Sequence, residues 1–366
     1  MFKIKPFGNV SAINSSLPPS PNVKTFLQRG VALIILTATS SVTMLAHEQL
    51  RLVREFKGYA WGYFPPDNRR LVLLDNDRLS IIEAHSGNSV CTRSAEDRGF
   101  TSAAVSPKGD LLAVNHHKYD QSRQILWEQL LLVNARDCKI VRKLDPVVTS
   151  RIGRRLSFSS DGKYLAASAD GPQLWDAATG RLVFDGHAPE GRHTEDVQIT
   201  ADGRYLLSYD VGFPESNGIL NVIDVATGTS RAVFSGEVTS FFATRDSRTL
   251  GIIAADRPGV LALRLIDLGD GRQVSKQVGP EIQDLSAISP NGEYMATGVR
   301  GTFNLIRLSD GVRVDTAVHY KRSLADDLRG ELDMIVELRS LDFSADGRML
   351  LTGGENGSVK LWAIDK

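Results

Sequence analysis

Two adjacent histidines, His116 and His117, open a polar stretch that runs through Tyr119 and Arg123 to Trp127. Imidazole is a common zinc ligand, so this pair, taken with His193 or His187, is the candidate metal set. Adjacent histidines in a polar loop also read as ordinary surface residues, and no metal or other cofactor is assigned. His47-Glu48 starts a zinc-peptidase pattern, but position 51 is Arg, which breaks it. The sequence has no GxSxG nucleophile elbow and no GxxxxGK[ST] phosphate loop. Any catalysis would need acids, bases or a metal brought together from distant positions. The other chemically expressive residues are arginines and aromatics between apolar segments: Arg192, Phe213, Arg257, Arg300, Tyr320 and Arg322. Arg and exposed aromatics are the types enriched in protein-binding hot spots.

The elements that must position these residues repeat. A short apolar run leads into a tight turn, then a second apolar run, a gap, a third run and a turn ending in Gly. The first turn appears as Pro66-Asp67-Asn68, Pro107-Lys108-Gly109, Ser160-Asp161-Gly162 and Ala201-Asp202-Gly203, then as Arg245-Asp246-Ser247, Pro290-Asn291-Gly292 and Ala345-Asp346-Gly347. The central residues are spaced 41, 53, 41, 44, 45 and 55 apart, close to the period of four-stranded propeller blades. Asp/Asn-Gly supplies the positive φ that a tight hairpin needs. The runs that follow, such as Leu111-Leu112-Ala113-Val114 and Leu220-Asn221-Val222-Ile223, are apolar and suited to strands. Seven units predict an all-β protein: a seven-bladed β-propeller of four-stranded antiparallel blades. The last unit stops at Lys366 after its third strand, while Leu50 to Phe56 is an orphan strand-like segment. That N-terminal strand is expected to close the ring and remove an exposed edge.

Composition bounds the reading. The chain has 366 residues, 42% of them hydrophobic and 23% charged, with 43 basic and 43 acidic side chains. A neutral balance argues against a dedicated nucleic-acid binder. Cys91 and Cys138 form no disulfide framework; they read as buried small hydrophobes, or as one bridge. Residues 1–47 hold no acid but carry Lys3, Lys5, Lys24 and Arg29 ahead of Val31-Ala32-Leu33-Ile34-Ile35-Leu36. A positive flank, a short apolar core and small residues make a signal peptide or an uncleaved signal-anchor, with residues 48–366 as the propeller. The expectation is an exported, periplasmic or extracytoplasmic protein, or one held at a membrane by that anchor. Loss of the segment leaves 39 basic against 43 acidic side chains.

Ser159-Ser160-Asp161-Gly162-Lys163-Tyr164-Leu165-Ala166, followed by Gln173-Leu174-Trp175-Asp176, resembles a WD repeat. So does the closing unit from Ser344-Ala345-Asp346-Gly347 to Leu361-Trp362, and Gly186-His187 stands where that family places its Gly-His pair. The resemblance spans about residues 50–366 and is degenerate, since Trp175 alone is followed by Asp. The family's His–Ser/Thr–Trp network is expected only in fragments, at Ser168 with Trp175 or Thr352 with Trp362.

In such a ring the first–second and third–fourth strand turns share one face; the second–third turns and the interblade links share the other. The first set here is short and uniform. The second carries the insertions: Asn115 to Arg123, Asp210 to Gly218, the link from Gly186 to Glu195, and the link from Ala317 to Glu337 with a short helix near Leu324 to Leu328. The binding surface is therefore expected at His116, His117, Tyr119, Arg123, Arg192, His193, Phe213, Arg257, Arg300, Tyr320 and Arg322. The function expected is a non-catalytic, monomeric scaffold for a protein or peptide. The alternative is a hydrolase or lyase with a metal or acid/base site at the central channel.

Overall fold

A computed structural model describes residues 48–366, apart from 96–98, 120–124, 145–154, 169–170, 213–216, 245, 258–259, 280–284, 300 and 321–337. At 119, 125–127, 276–279 and 299 it describes the backbone alone. The expected signal segment, Phe213, Arg123, Arg300, Arg322 and the helix near Leu324 all lie outside the described residues.

Seven four-stranded antiparallel sheets follow one another along the chain. Blade 1 is β2 (Trp61–Tyr63), β3 (Arg70–Leu74), β4 (Arg78–Glu83) and β5 (Ser89–Ser94). Blade 2 is β6 (Phe100–Val105), β7 (Leu111–Tyr119), β8 (Ile125–Asn134) and β9 (Ile140–Lys143). Blade 3 is β10 (Leu156–Phe158), β11 (Tyr164–Ser168), β12 (Pro172–Asp176) and β13 (Leu182–Asp185). Blade 4 is β14 (Arg192–Ile199), β15 (Tyr205–Gly212), β16 (Ile219–Asp224) and β17 (Ser230–Ser235). Blade 5 is β18 (Val238–Ala243), β19 (Thr249–Arg257), β20 (Val260–Asp267) and β21 (Gln273–Gly279). Blade 6 is β22 (Leu285–Ile288), β23 (Tyr294–Val299), β24 (Thr302–Arg307) and β25 (Arg313–Val318). Blade 7 joins β26 (Leu338–Phe343), β27 (Met349–Gly354) and β28 (Ser358–Asp365) to β1 (Gln49–Lys57), the first strand of the chain. The expected closure is thus found: Gln49 pairs with Asp365 and Lys57 with Ser358. Closing contacts also reach blade 6, where the Leu50 N–H donates to Asp315 Oδ2 at 2.7 Å and Arg307 pairs with Glu48 at 2.7 Å.

The turn between first and second strands has a local cause. In blade 3, Ser159 Oγ donates to Asp161 Oδ1 at 2.6 Å and accepts from the Tyr164 N–H at 2.9 Å. Thr200–Asp202, Thr244–Asp246 and Ser344–Asp346 repeat the lock at 2.7, 2.6 and 2.6 Å. The hydrogen bond from Ser159 holds the Asp161 carboxyl below its ordinary range. Asn68 and Ser247 take positive φ where the other blades use Gly; Asn is the non-glycine residue that does so most readily.

First strands contact first strands around the ring, from β2 through β6, β10, β14, β18, β22 and β26 back to β2, and so line the centre. The apolar core is a set of seams between blades. Val72, Leu74, Leu79 and Ile81 of blade 1 meet Phe100, Val114 and Leu131 of blade 2. Leu71 and Leu73 meet Leu351 and Leu361 of blade 7. Each sheet buries both faces only by stacking, which is why the unit recurs.

Two expectations need correction, and one open alternative is decided. His116, His117 and Tyr119 are not in a loop: β7 and β8 run on past the core as one long hairpin, with His117 opposite Glu128. Arg192 and His193 are not in the link into blade 4 but open strand β14, opposite Gly212 and Val211. Cys91 and Cys138 are joined as a disulfide, with Cα atoms 5.7 Å apart. Two cysteines in different units say nothing by themselves about distance; the stacking of blades supplies it.

Candidate protein-interaction face

The face that carries the second–third turns is built unevenly. β11 and β12 have five residues each, whereas β7 has nine and β8 ten. β19 and β15, with nine and eight residues, are lengthened at the same end. At about 3.4 Å per residue, four extra residues carry the blade 2 hairpin about 13 Å further along the strand direction. Short strands end at the core because their next residues are turn formers. In blades 4 and 5 the longer ones continue with polar pairs between neighbouring strands.

Those pairs employ several expected site residues. His117 is fully buried, beneath Gly99, whose N–Cα–C frame leaves no room for a side chain beside the imidazole ring. Burial, with the neighbouring His116 second, pushes its imidazole down to about 4. His117 is therefore a neutral packing residue, not a surface histidine. His116 is half-exposed and packs on Phe100, ring centres 5.5 Å apart. His193 and His187 are exposed. No group of three His, Cys, Asp or Glu side chains converges among the described residues.

In blade 4, Arg192 donates to the carbonyls of Asn217 at 2.8 Å and Asp210 at 3.3 Å. It straps the hairpin to the first strand. Beneath it Asp210 is buried and accepts from Thr194 Oγ1 at 2.6 Å and Asn221 Nδ2 at 2.7 Å. Burial outweighs these bonds and raises its carboxyl above the usual range. Blade 5 has an unanticipated counterpart: Arg264 pairs with Asp256 at 2.9 Å and lies 5.3 Å from the centre of the Phe234 ring. This braces the strand end that presents Arg257, which is exposed. No local signal marks the pair, because Asp256 and Arg264 stand on different strands, eight positions apart.

The link into blade 7 starts from a second network the sequence showed only in part. Trp362 Nε1 donates to Thr352 Oγ1 at 2.9 Å, and the hydroxyl meets His319 Nδ1 at 2.6 Å. The other ring nitrogen, Nε2, is 3.3 Å from both Asn356 Oδ1 and Ser358 Oγ. Lys360 Nζ donates to the His319 carbonyl at 2.6 Å. His319 is fully buried and its imidazole is pushed down to about 4, chiefly by that burial. The expected fragment Thr352–Trp362 is thus a full His–Thr–Trp chain. Its histidine was missed because the sequence offers no Gly-His pair there; Gly186-His187, which has the pair, leaves His187 exposed. Tyr320 follows His319 directly and is half-buried at the face.

The first strands place a polar group at the centre. Arg155 pairs with Asp196 of β14 at 3.3 Å. The charges of Asp342 in blade 7 and Arg155 at the start of blade 3 both act on Tyr63 of blade 1. Burial pushes the Tyr63 phenol up to about 12, Asp196 up to about 6 and Asp342 up to about 7. Asp342 Oδ2 accepts the Phe64 N–H of the next blade at 2.7 Å, so it also stitches blade 7 to blade 1.

Of the expected residues, His116 on blade 2, His193 on blade 4, Arg257 on blade 5 and Tyr320 beyond blade 6 reach the same face with exposed or half-exposed side chains. His117 and Arg192 support it from within.

A family profile described as "WD domain, G-beta repeat" matches residues 330–363, which include Thr352 and Trp362 of the His–Thr–Trp chain but not His319. An uncharacterized WD repeat-containing protein of Synechocystis, sll1491, is 28% identical over 132 residues. That alignment covers 35% of this chain and 32% of the relative, so the chain spans about a third of the relative's length. Seven blades and the recurring Asp-Gly turns make the chain a β-propeller, and both likenesses are to WD repeats.

Proposed function

We propose that this propeller is a non-catalytic scaffold that binds a protein or peptide through the face carrying the lengthened hairpins. The observation that supports it most is the inequality of the two faces. One is a near-repeat of short Ser/Thr-Asp-Gly turns, each committed to its own lock. The other offers strand ends of different length, braced from below by buried pairs and carrying Arg257, His193, His116 and Tyr320. Surfaces that bind partners need exposed groups on a rigid support. The leader in residues 1–47 adds export to this reading, as a signal peptide or an anchor.

The test is crosslinking in intact cells with a carboxyl-terminal tag, for the wild type beside Arg257→Glu with His193→Ala. Both side chains are exposed, so the variant is expected to fold normally and lose partners that the wild type captures. Capture of the same partners by both would move the interface off this face. Capture of none by the wild type would overturn the scaffold reading. Fractionation with amino-terminal sequencing tests export: recovery of the uncleaved chain in the cytoplasm would overturn it.

The central polar group favours a second reading, an acid/base site in the channel. Asp342, held near neutrality by burial, is the group that would exchange a proton there. Turnover of any screened ester, glycoside or uronate that is abolished in Asp342→Asn would establish it; equal turnover would exclude that role.

A further inference from the structure

We propose that Cys91 and Cys138 form a covalent interblade latch that replaces, as a matched pair, an Arg-over-Gly contact used at other junctions of the same ring. In blade 7 the outer strand sends Arg54 to the Ser86 carbonyl in the third–fourth turn of blade 1, against Gly87. In blade 2 it sends Arg142 to the Thr179 carbonyl of blade 3 at 3.1 Å, against Gly180. In blade 4 it sends Arg231 to the Gly269 carbonyl of blade 5 at 2.8 Å, near Gly271. Arg54, Arg142 and Cys91 stand at equal register, opposite Leu361, Leu132 and Ile81 and each next to the outer-strand bulge.

Both halves of the exchange occur at the junction of blades 1 and 2. Cys91 stands in the outer strand where Arg stands in blades 2, 4 and 7. Cys138 stands in the third–fourth turn where Gly stands elsewhere. Its φ is 56°, against 77° at Gly87, 76° at Gly180 and 79° at Gly271. A side chain in that conformation is unfavourable, so the position selects against Cys unless something offsets the cost. In blade 3 Gly is also required sterically: a Cβ at Gly180 would lie 2.6 Å from Arg142 Cδ, whereas at Gly271 the nearest Arg231 atom would be 3.9 Å away. Cys138 would therefore crowd an Arg at position 91 seated as Arg142 is, and it fits a short partner. The disulfide joins β5 to blade 2, the blade with the longest hairpin on the interaction face. Its role is to keep that blade from parting from blade 1 outside the cell.

Formation is a two-electron exchange. An external disulfide takes one thiolate to give a mixed disulfide and release one thiol. The second cysteine attacks that bond, releasing the other thiol and leaving Cys91–Cys138, so two protein thiols are oxidised and one external disulfide is reduced to two thiols. The oxidant rests on the export reading, since such bonds persist in oxidising compartments; the geometry does not.

The experiment uses the folded chain in four forms: wild type, Cys91→Ser with Cys138→Ser, Cys91→Arg, and Cys91→Arg with Cys138→Gly. Alkylation followed by mass measurement counts free thiols in protein taken from cells and in protein treated with glutathione disulfide. Melting is followed with and without reductant. The bonded wild type is expected to lose about 5 °C in midpoint on reduction. The double Ser variant is expected to sit at the reduced value and ignore reductant. Cys91→Arg alone is expected to melt lowest, and Cys91→Arg with Cys138→Gly to recover above the double Ser variant. A wild-type midpoint indifferent to reductant, or an Arg/Gly pair no better than Arg alone, would overturn the latch. Pairing in glutathione disulfide with free thiols in cells would overturn export and leave the latch standing.

Discussion

Thr352 carries more than its own bond, because its hydroxyl serves two buried partners. Thr352→Val keeps the shape but leaves Trp362 Nε1 and His319 Nδ1 without their acceptor or donor. Each buried unsatisfied group costs about 1–3 kcal/mol, so a loss of about 2–4 kcal/mol is expected in denaturant unfolding. Trp175 makes a different kind of contribution. It is 1% exposed in the seam of blades 2 and 3, and Trp175→Ala should cost about 3–5 kcal/mol by leaving a cavity. An unchanged melting curve would mean that the side chain is not part of that seam. Asp342 gives a pH signature. Its folded carboxyl is raised from 3.8 to about 7, so between these values the folded state keeps a proton that the unfolded state has released. Its contribution is full below the unfolded value and is lost as pH rises through 7. Asp342→Asn, which can still accept the Phe64 N–H, removes that loss. Its stability relative to wild type is expected to grow from pH 4 to pH 8, by at most about 4 kcal/mol.

At the scale of elements, the strand that begins the described chain completes the sheet that ends it. β1 covers β28 along its length, and Arg51–Asp365 and Glu48–Arg307 tie its two neighbours to it. A chain beginning at Glu48 is expected to fold, while one beginning at Gly58 leaves β28 as an open edge and should aggregate in size-exclusion chromatography. Recovery of a stable monomer from the shorter chain would show that the ring does not depend on this closure. The strand was legible in the sequence because the last repeat is one strand short and Leu50 to Phe56 has nowhere else to pair. The lengths of β7, β15 and β19 were not legible in the same way. Polar residues such as His117, Glu128 and Asp210 read as loop by composition. They continue as strand because the ladder does: His117 pairs in register with Glu128, and Asp210 accepts from Thr194 and Asn221 on the strands beside it.

Across the whole molecule, opposing titrations set the pH response. His117 and His319, both lowered to about 4, contribute stability that is present above their unfolded value of 6.5 and lost as pH falls toward 4. Asp342 and Asp196, raised to about 7 and about 6, contribute in the opposite sense over much of the same range. Wild-type melting is expected to vary little between pH 4.5 and 6.5, whereas Asp342→Asn should melt higher as pH rises across that window. A steep wild-type profile there would mean that one set is not buried as described.

Much of the architecture follows from the chain alone. Asp-Gly turns, alternating apolar runs and a fixed period are local signals, and seven copies of one unit can bury both sheet faces only by stacking into a ring. What the sequence could not reveal was which polar side chains meet. His319 reaches Thr352 across 33 positions and Cys91 reaches Cys138 across 47. The same stacking lets the charges of Asp342 and Arg155, from two other blades, act on Tyr63. Such meetings depend on how blades are seated against each other, a long-range geometry that no local pattern encodes. Burial then turns His117 from an apparent surface ligand into a neutral core residue, and hydrogen bonds to the Asn217 and Asp210 carbonyls make Arg192 a strap as well.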